Sequence, residues 1–296
     1  MLRLLRSEVF RLVRRWMPWV LLGMMVAMSF ILYELIWVTS NAQLSLLRSG
    51  TAPVTPNAPP PEIQIRSLES AIQTLRPSRL NELGVGFVTG LGSILMIVLA
   101  ASHMGTEWAW GTLRTLLASG ASRMAFLVSK YVTLLAYAVV YMALGVGAVL
   151  AASFLVSAQA GLDTTGLDLG LVASAAGRGI YGFLPYMALA ALIALWFRSA
   201  GGGIAAGLVI NFTESIAAGL LISLNRDFAT IANLGLSRNV QSIARVGAAA
   251  QAGGGPGGAG APLPDQGQAA LVLAAWTLIF VALAVWRLRN RDITLS

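Results

Sequence analysis

The chain has 296 residues, of which 57% are hydrophobic and 11% charged, with a mean hydropathy of +0.75. Soluble domains carry about 25% charged residues, so this composition excludes an ordinary soluble fold. The net charge of +8 is accounted for by basic segments facing anionic lipid headgroups, without nucleic acid, and the absence of cysteine excludes disulfides, thiolate catalysis and thiolate zinc sites.

In chain order, residues 1–16 come first. On a 3.6-residue period Leu2, Leu5, Val9, Leu12, Val13 and Trp16 share one face and Arg3, Ser7, Arg11, Arg14 and Arg15 the other. This predicts a helix lying in the headgroup plane, with Pro18 turning the chain into the membrane as an elbow. Six apolar windows follow, at 17–38, 83–101, 131–156, 171–197, 204–224 and 269–286. Each approaches or exceeds the roughly 20 helical residues that cross a hydrocarbon core of about 30 Å. The first window is too long for a cleaved signal segment and ends in Tyr33, Trp37 and Thr39, as an anchored helix would. The reading is an all-α polytopic membrane protein with one transmembrane domain over 1–296.

Two long polar loops fall on one side, at 40–82 and 225–268. The first contains a Pro-rich stretch, Thr51 to Glu62, then an amphipathic pattern on Ile65, Leu68, Ile72 and Leu75. The second has a similar pattern on Ile231, Leu234, Val240, Ile243 and Val246 before a Gly-rich connector. Structural and substrate-gating roles both fit these loops. The opposite side gathers Arg3, Arg6, Arg11, Arg14 and Arg15, then Arg114, Arg123 and Lys130, then Arg198, then Arg287, Arg289 and Arg291. The positive-inside rule makes that side cytoplasmic and places both termini inside, in the plasma membrane.

Between spans two and three runs Gly105 to Lys130, in which glycines punctuate helix-forming stretches; this predicts a compact helix-turn-helix at the cytosolic boundary. Glu107 and Arg114, seven apart, fall on one helical face, as do Arg123 and Lys130. Lipid anchoring explains the basic residues there but not the acidic one. Within the spans, Glu34, Arg178 and Glu214 are costly charges. An ion pair of Arg178 with Glu34 or Glu214 would neutralise them; the alternative is a polar path, joined by Asn211, Thr213 and Ser215. Pro185 and Gly201 to Gly203 could let spans four and five bend.

In topology, in its basic elbow and in the pattern G-x-E-x-x-x-G-T-L-R-x-L-L-x-x-G-x-S-R-x-x-F-L-x-x-K, the chain resembles the permease subunits of ABC-2 type ABC transporters. The pattern is carried by Gly105, Glu107, Gly111, Thr112, Leu113, Arg114, Leu116, Leu117, Gly120, Ser122, Arg123, Phe126, Leu127 and Lys130. The resemblance spans the chain as architecture and its first half as motif. It implies a permease domain working as a homodimer or heterodimer, whose segment between spans two and three is a coupling helix docked on a separate cytosolic P-loop ATPase. Gly105, Glu107, Gly111, Thr112, Arg114, Arg123 and Lys130 would form that joint, with Glu107, Arg114 and Arg123 as its charged contacts.

No catalytic or cofactor site is expected in this chain. A phosphate-binding loop needs G-K-[S/T], whereas the single lysine, Lys130, lies between Ser129 and Tyr131; ATP and magnesium would belong to the partner ATPase. His103 is the single histidine, with no clear acidic partner in sequence, and reads as a packing residue. The G-L-G-S-I run at Ser93 lacks the second glycine of a nucleophile elbow. Two alternatives are an ion-gradient-driven secondary transporter using Glu34 and Glu214, and a noncatalytic membrane anchor or regulatory subunit.

Overall fold

The computed structural model describes residues 2–51, 59–109, 122–244 and 263–290, and among them every regular element is a helix. Helix α1 (Leu2–Arg14) ends at Arg15, whose extended backbone makes a corner into α2 (Trp16–Arg48). The Trp19 indole donates to the carbonyl of Val13 at 2.7 Å across that corner. Helix α3 (Pro61–Gln73) and a short 3-10 turn (Pro77–Arg79) lead into α4 (Gly84–Ala109). Then come α5 (Arg123–Ala160), α6 (Leu169–Phe197) and α7 (Ala200–Leu224), followed by the short helices α8 (Ala229–Ala232) and α9 (Leu236–Ala244), and last α10 (Gln266–Arg289).

Polar residues set the helix starts as hydropathy cannot. Ser122, Asp168, Ser199 and Asp265 each accept a hydrogen bond from a backbone amide of the following first turn, satisfying donors a helix leaves open. Gly161, at φ 64°, closes α5 in the left-handed conformation that glycine adopts without strain.

Six helices, α2, α4, α5, α6, α7 and α10, are long and apolar enough to cross a membrane, which makes the chain a multi-pass membrane protein. Two of them extend well beyond the spans expected from hydropathy. α2 has 33 residues and α5 has 38, or about 50 and 57 Å at 1.5 Å per residue, against a core of about 30 Å. Hydropathy ends a span at the first polar residues, but intrahelical hydrogen bonding continues wherever the sequence forms helix. The protruding end of α2 and the outer part of α5 hold α3 and the residues after it: Arg48 pairs with Glu69 at 2.9 Å, and Ser153 Oγ donates to the Leu75 carbonyl at 2.5 Å.

Helices α4 and α6 form the centre, flanked by α5, α7, α2 and α10. Their contacts are close because small residues stand at the crossings, the means by which membrane helices gain packing without a hydrophobic drive. A Cβ at Gly105 would lie 2.4 Å from the backbone nitrogen of Ala200, and one at Gly203 would lie 2.7 Å from the Cβ of Ala194. Helix α9 packs on α10 and α6 with Val240 and Ile243 buried, so this element of the second loop is inserted among the spans rather than lying on the surface.

Candidate functional site

The bundle has a basic end. α1, the close of α4, the start of α5, the α6–α7 turn and the close of α10 meet there through side-chain contacts. Arg123 donates to the carbonyls of Leu288 and Arg289 at 2.9 and 3.0 Å, neutralising the exposed acceptors at the end of α10. Arg198 stands over the Trp108 ring and Arg287 over Trp196, 5.2 and 4.3 Å from the ring centroids. Among the described residues, the carboxylates of this end are Glu8 and Glu107, both fully buried; the other described acidic residues lie toward the opposite end.

These two carboxylates converge on one ammonium. Lys130 Nζ lies 2.7 Å from Glu8 Oε2 and 2.8 Å from Glu107 Oε1, and it donates to the His103 carbonyl at 3.2 Å. Arg11, at the rim, approaches Glu107 at 3.4 Å and Glu8 at 3.6 Å. His103 Nε2 is 3.7 Å from Glu8 Oε2, too long for a hydrogen bond, and Arg15 donates to Thr106 Oγ1 at 2.7 Å. Glu8, Glu107, Lys130 and His103 are each at most 2% exposed. Two carboxylates against Lys130 and Arg11 leave the four charges balanced, which burial demands. The Phe126 ring lies under the ammonium, 5.5 Å away, and completes the enclosure.

The local sequence explains the convergence. Leu5, Glu8, Leu12 and Arg15 recur at three and four residues and turn one stripe of α1 toward the bundle, whereas Val9, Phe10, Val13 and Trp16 are exposed along the apolar side. His103, Thr106 and Glu107 form the matching stripe of α4. On α5, Phe126 and Lys130 are one turn apart on the face toward it. The cluster thus ties α1 to both helices that bound the segment 110–121.

The residues singled out from sequence are placed unevenly. Glu107 and Lys130, expected at an exposed joint, meet each other in the interior. Arg123 caps α10, and Gly105 packs on the α6–α7 turn. Gly111, Thr112 and Arg114 lie outside the described residues, as does the turn of the expected helix-turn-helix; on either side of it α4 runs helically to Ala109 and α5 starts at Arg123.

The expected pairing of Arg178 with Glu34 or Glu214 is not made. Arg178 donates to the carbonyl and hydroxyl of Ser174 on its own helix, Glu34 accepts from Gln159 at 3.3 Å, and Glu214 accepts from the Ser237 amide at 2.8 Å. The reason is that Glu214 meets the first amides of α9, where a helix favours negative charge, and Arg178 reaches acceptors one turn away. Asn211 hydrogen-bonds Tyr186. His103, read as lacking an acidic partner, faces Glu8.

Glu8 is the residue sequence reasoning passed over. Its signal was the one later used for Glu107: a lone acid among arginines in an amphipathic helix. Among the described residues no group of acidic or histidine side chains has the geometry of a metal site.

No curated protein matches the chain. A family model described as "Protein of unknown function (DUF2705)" matches residues 85–294, from the start of α4 to beyond α10. With most of its length so matched, the chain belongs to the DUF2705 family.

Proposed function

We propose that this chain is the membrane-spanning permease subunit of an ATP-driven exporter of the ABC-2 kind, oriented with its basic end and both termini in the cytoplasm of the plasma membrane. Helix α1 is then the interfacial elbow, and the 105–130 segment carries the coupling helix that meets a separate P-loop ATPase. A second permease subunit completes the path, and ATP and magnesium are bound by the partner.

The observation that carries the reading is the buried Glu8–Lys130–Glu107 cluster. An anchor needs basic residues at the lipid surface, and nothing in that role calls for three charges buried where helices meet. A subunit that receives mechanical work at 110–121 needs that segment held rigidly to the bundle, and buried charge pairs fix orientation more than they add affinity. The cluster binds the two helices flanking the segment to each other and to α1. Glu107 and Lys130 act on the joint from beneath, with Arg114 as its charged contact.

The test is affinity purification of the tagged chain from its native membrane, with mass spectrometry of its partners and an ATPase assay. Recovery of a P-loop ATPase, with weaker association or stimulation in Arg114→Ala and Glu107→Ala, is the expected result. Recovery without any ATPase refutes the exporter and directs attention to ion-coupled transport through Glu34 and Glu214.

A further inference from the structure

A cleft of about 340 Å³ lies between α5 and α10, with α6 as its floor. Its size falls within the ~300–1,000 Å³ of small-ligand clefts. Leu127, Met187 and Ala188 line its depth and are nearly inaccessible, whereas Val128 and Val132 on α5 are exposed and Val281 on α10 is half-buried. The lining is apolar with two exceptions. Thr277 Oγ1 is bonded to the Leu273 carbonyl, but the Tyr131 hydroxyl is buried with no hydrogen-bond partner among the described residues.

The cleft reaches the basic end. Met124 lines it one residue after Arg123, and Val285 lines it one turn before Arg289. Arg123 bridges α5 to the last carbonyls of α10, and Arg289 is exposed. An apolar trough crossed at this end by Arg123, with Arg289 exposed one turn beyond Val285, matches one class of molecule in a bilayer, an acyl chain carrying a negative headgroup.

We propose that this cleft is a site for a single anionic phospholipid of the leaflet at the basic end, with an acyl chain between α5 and α10 and the phosphate at Arg123 and Arg289. The site rests on the chain being a membrane protein and is independent of whether it exports anything.

Native mass spectrometry of the detergent-purified chain, titrated separately with dioleoyl-phosphatidylglycerol and dioleoyl-phosphatidylcholine, tests it. The expected result is preferential retention of one phosphatidylglycerol. Arg289→Gln should weaken retention roughly fivefold, the factor for one basic residue at an anionic surface, and Arg123→Gln with Arg289→Gln should remove the preference. Val281→Trp, which fills the trough from its α10 side, should abolish retention of both lipids in a chain that still elutes as a single species. Equal retention of the two lipids by the native chain overturns the headgroup assignment. Undiminished retention in Val281→Trp overturns the cleft, and uptake of a neutral detergent without any phospholipid overturns the lipid.

Discussion

Replacing Lys130 with Met removes the one ammonium shared by two buried carboxylates. With Glu8 and Glu107 at 2.7 and 2.8 Å, each contact has a gross attraction of ~6 kcal/mol at an effective dielectric of about 20. Desolvation offsets most of that in the intact cluster, but after the substitution it stands against Arg11 alone, which lies beyond 3.3 Å from both acids. Breaking a buried pair on one side costs about 3–5 kcal/mol. We expect Lys130→Met to lower the unfolding midpoint in detergent by on the order of 10 °C, read by loss of the monodisperse chromatographic peak after heating. Glu8→Gln added to Lys130→Met leaves Glu107 facing Arg11 and should restore at least half of the loss. Lys130→Arg should not restore it, because a planar guanidinium does not fit an enclosure built around a compact ammonium. If Lys130→Met melts with the native chain, or if the double variant is no more stable than the single one, the cluster does not hold α1 and α5 to α4.

Other expectations follow from single contacts. Gly105→Val places side-chain atoms against the Ala200 backbone and should cost at least the ~1–3 kcal/mol of an overpacked site, seen as a lower detergent melting point; a neutral result would mean that α4 and α7 are not packed this closely. Glu214→Ala should cost about 0.5–2 kcal/mol by uncapping α9 and speed hydrogen exchange at the Ser237 amide, while unchanged exchange would remove Glu214 from that role. Because the chain lacks cysteine, single cysteines report orientation without background. Ser199→Cys should react with an impermeant maleimide only in inverted vesicles and Thr165→Cys only in right-side-out cells, and the opposite pattern would reverse the assigned topology.

The sequence alone determined the number of spans and the asymmetry of charge. Both are additive properties of local composition: about 20 apolar residues cross a bilayer whatever they touch, and arginines mark a side by their count. The helix starts lie ahead of the spans that hydropathy gives, at Ser122, Asp168, Ser199 and Asp265, because capping is decided within a single turn and not by preference for lipid. The length of α2 and α5 was not legible, since hydropathy measures preference for lipid and not helical hydrogen bonding. Only the tertiary structure decided which charges meet. Lys130 and Glu107 are 23 residues apart and Glu8 is 99 residues from Glu107, so no periodicity relates them, and their pairing depends on three helices arriving at one point. The same dependence governs Arg178, Glu34 and Glu214: all three lie within spanning helices, but side chains pair across a distance fixed by helix rotation and packing, which composition does not contain.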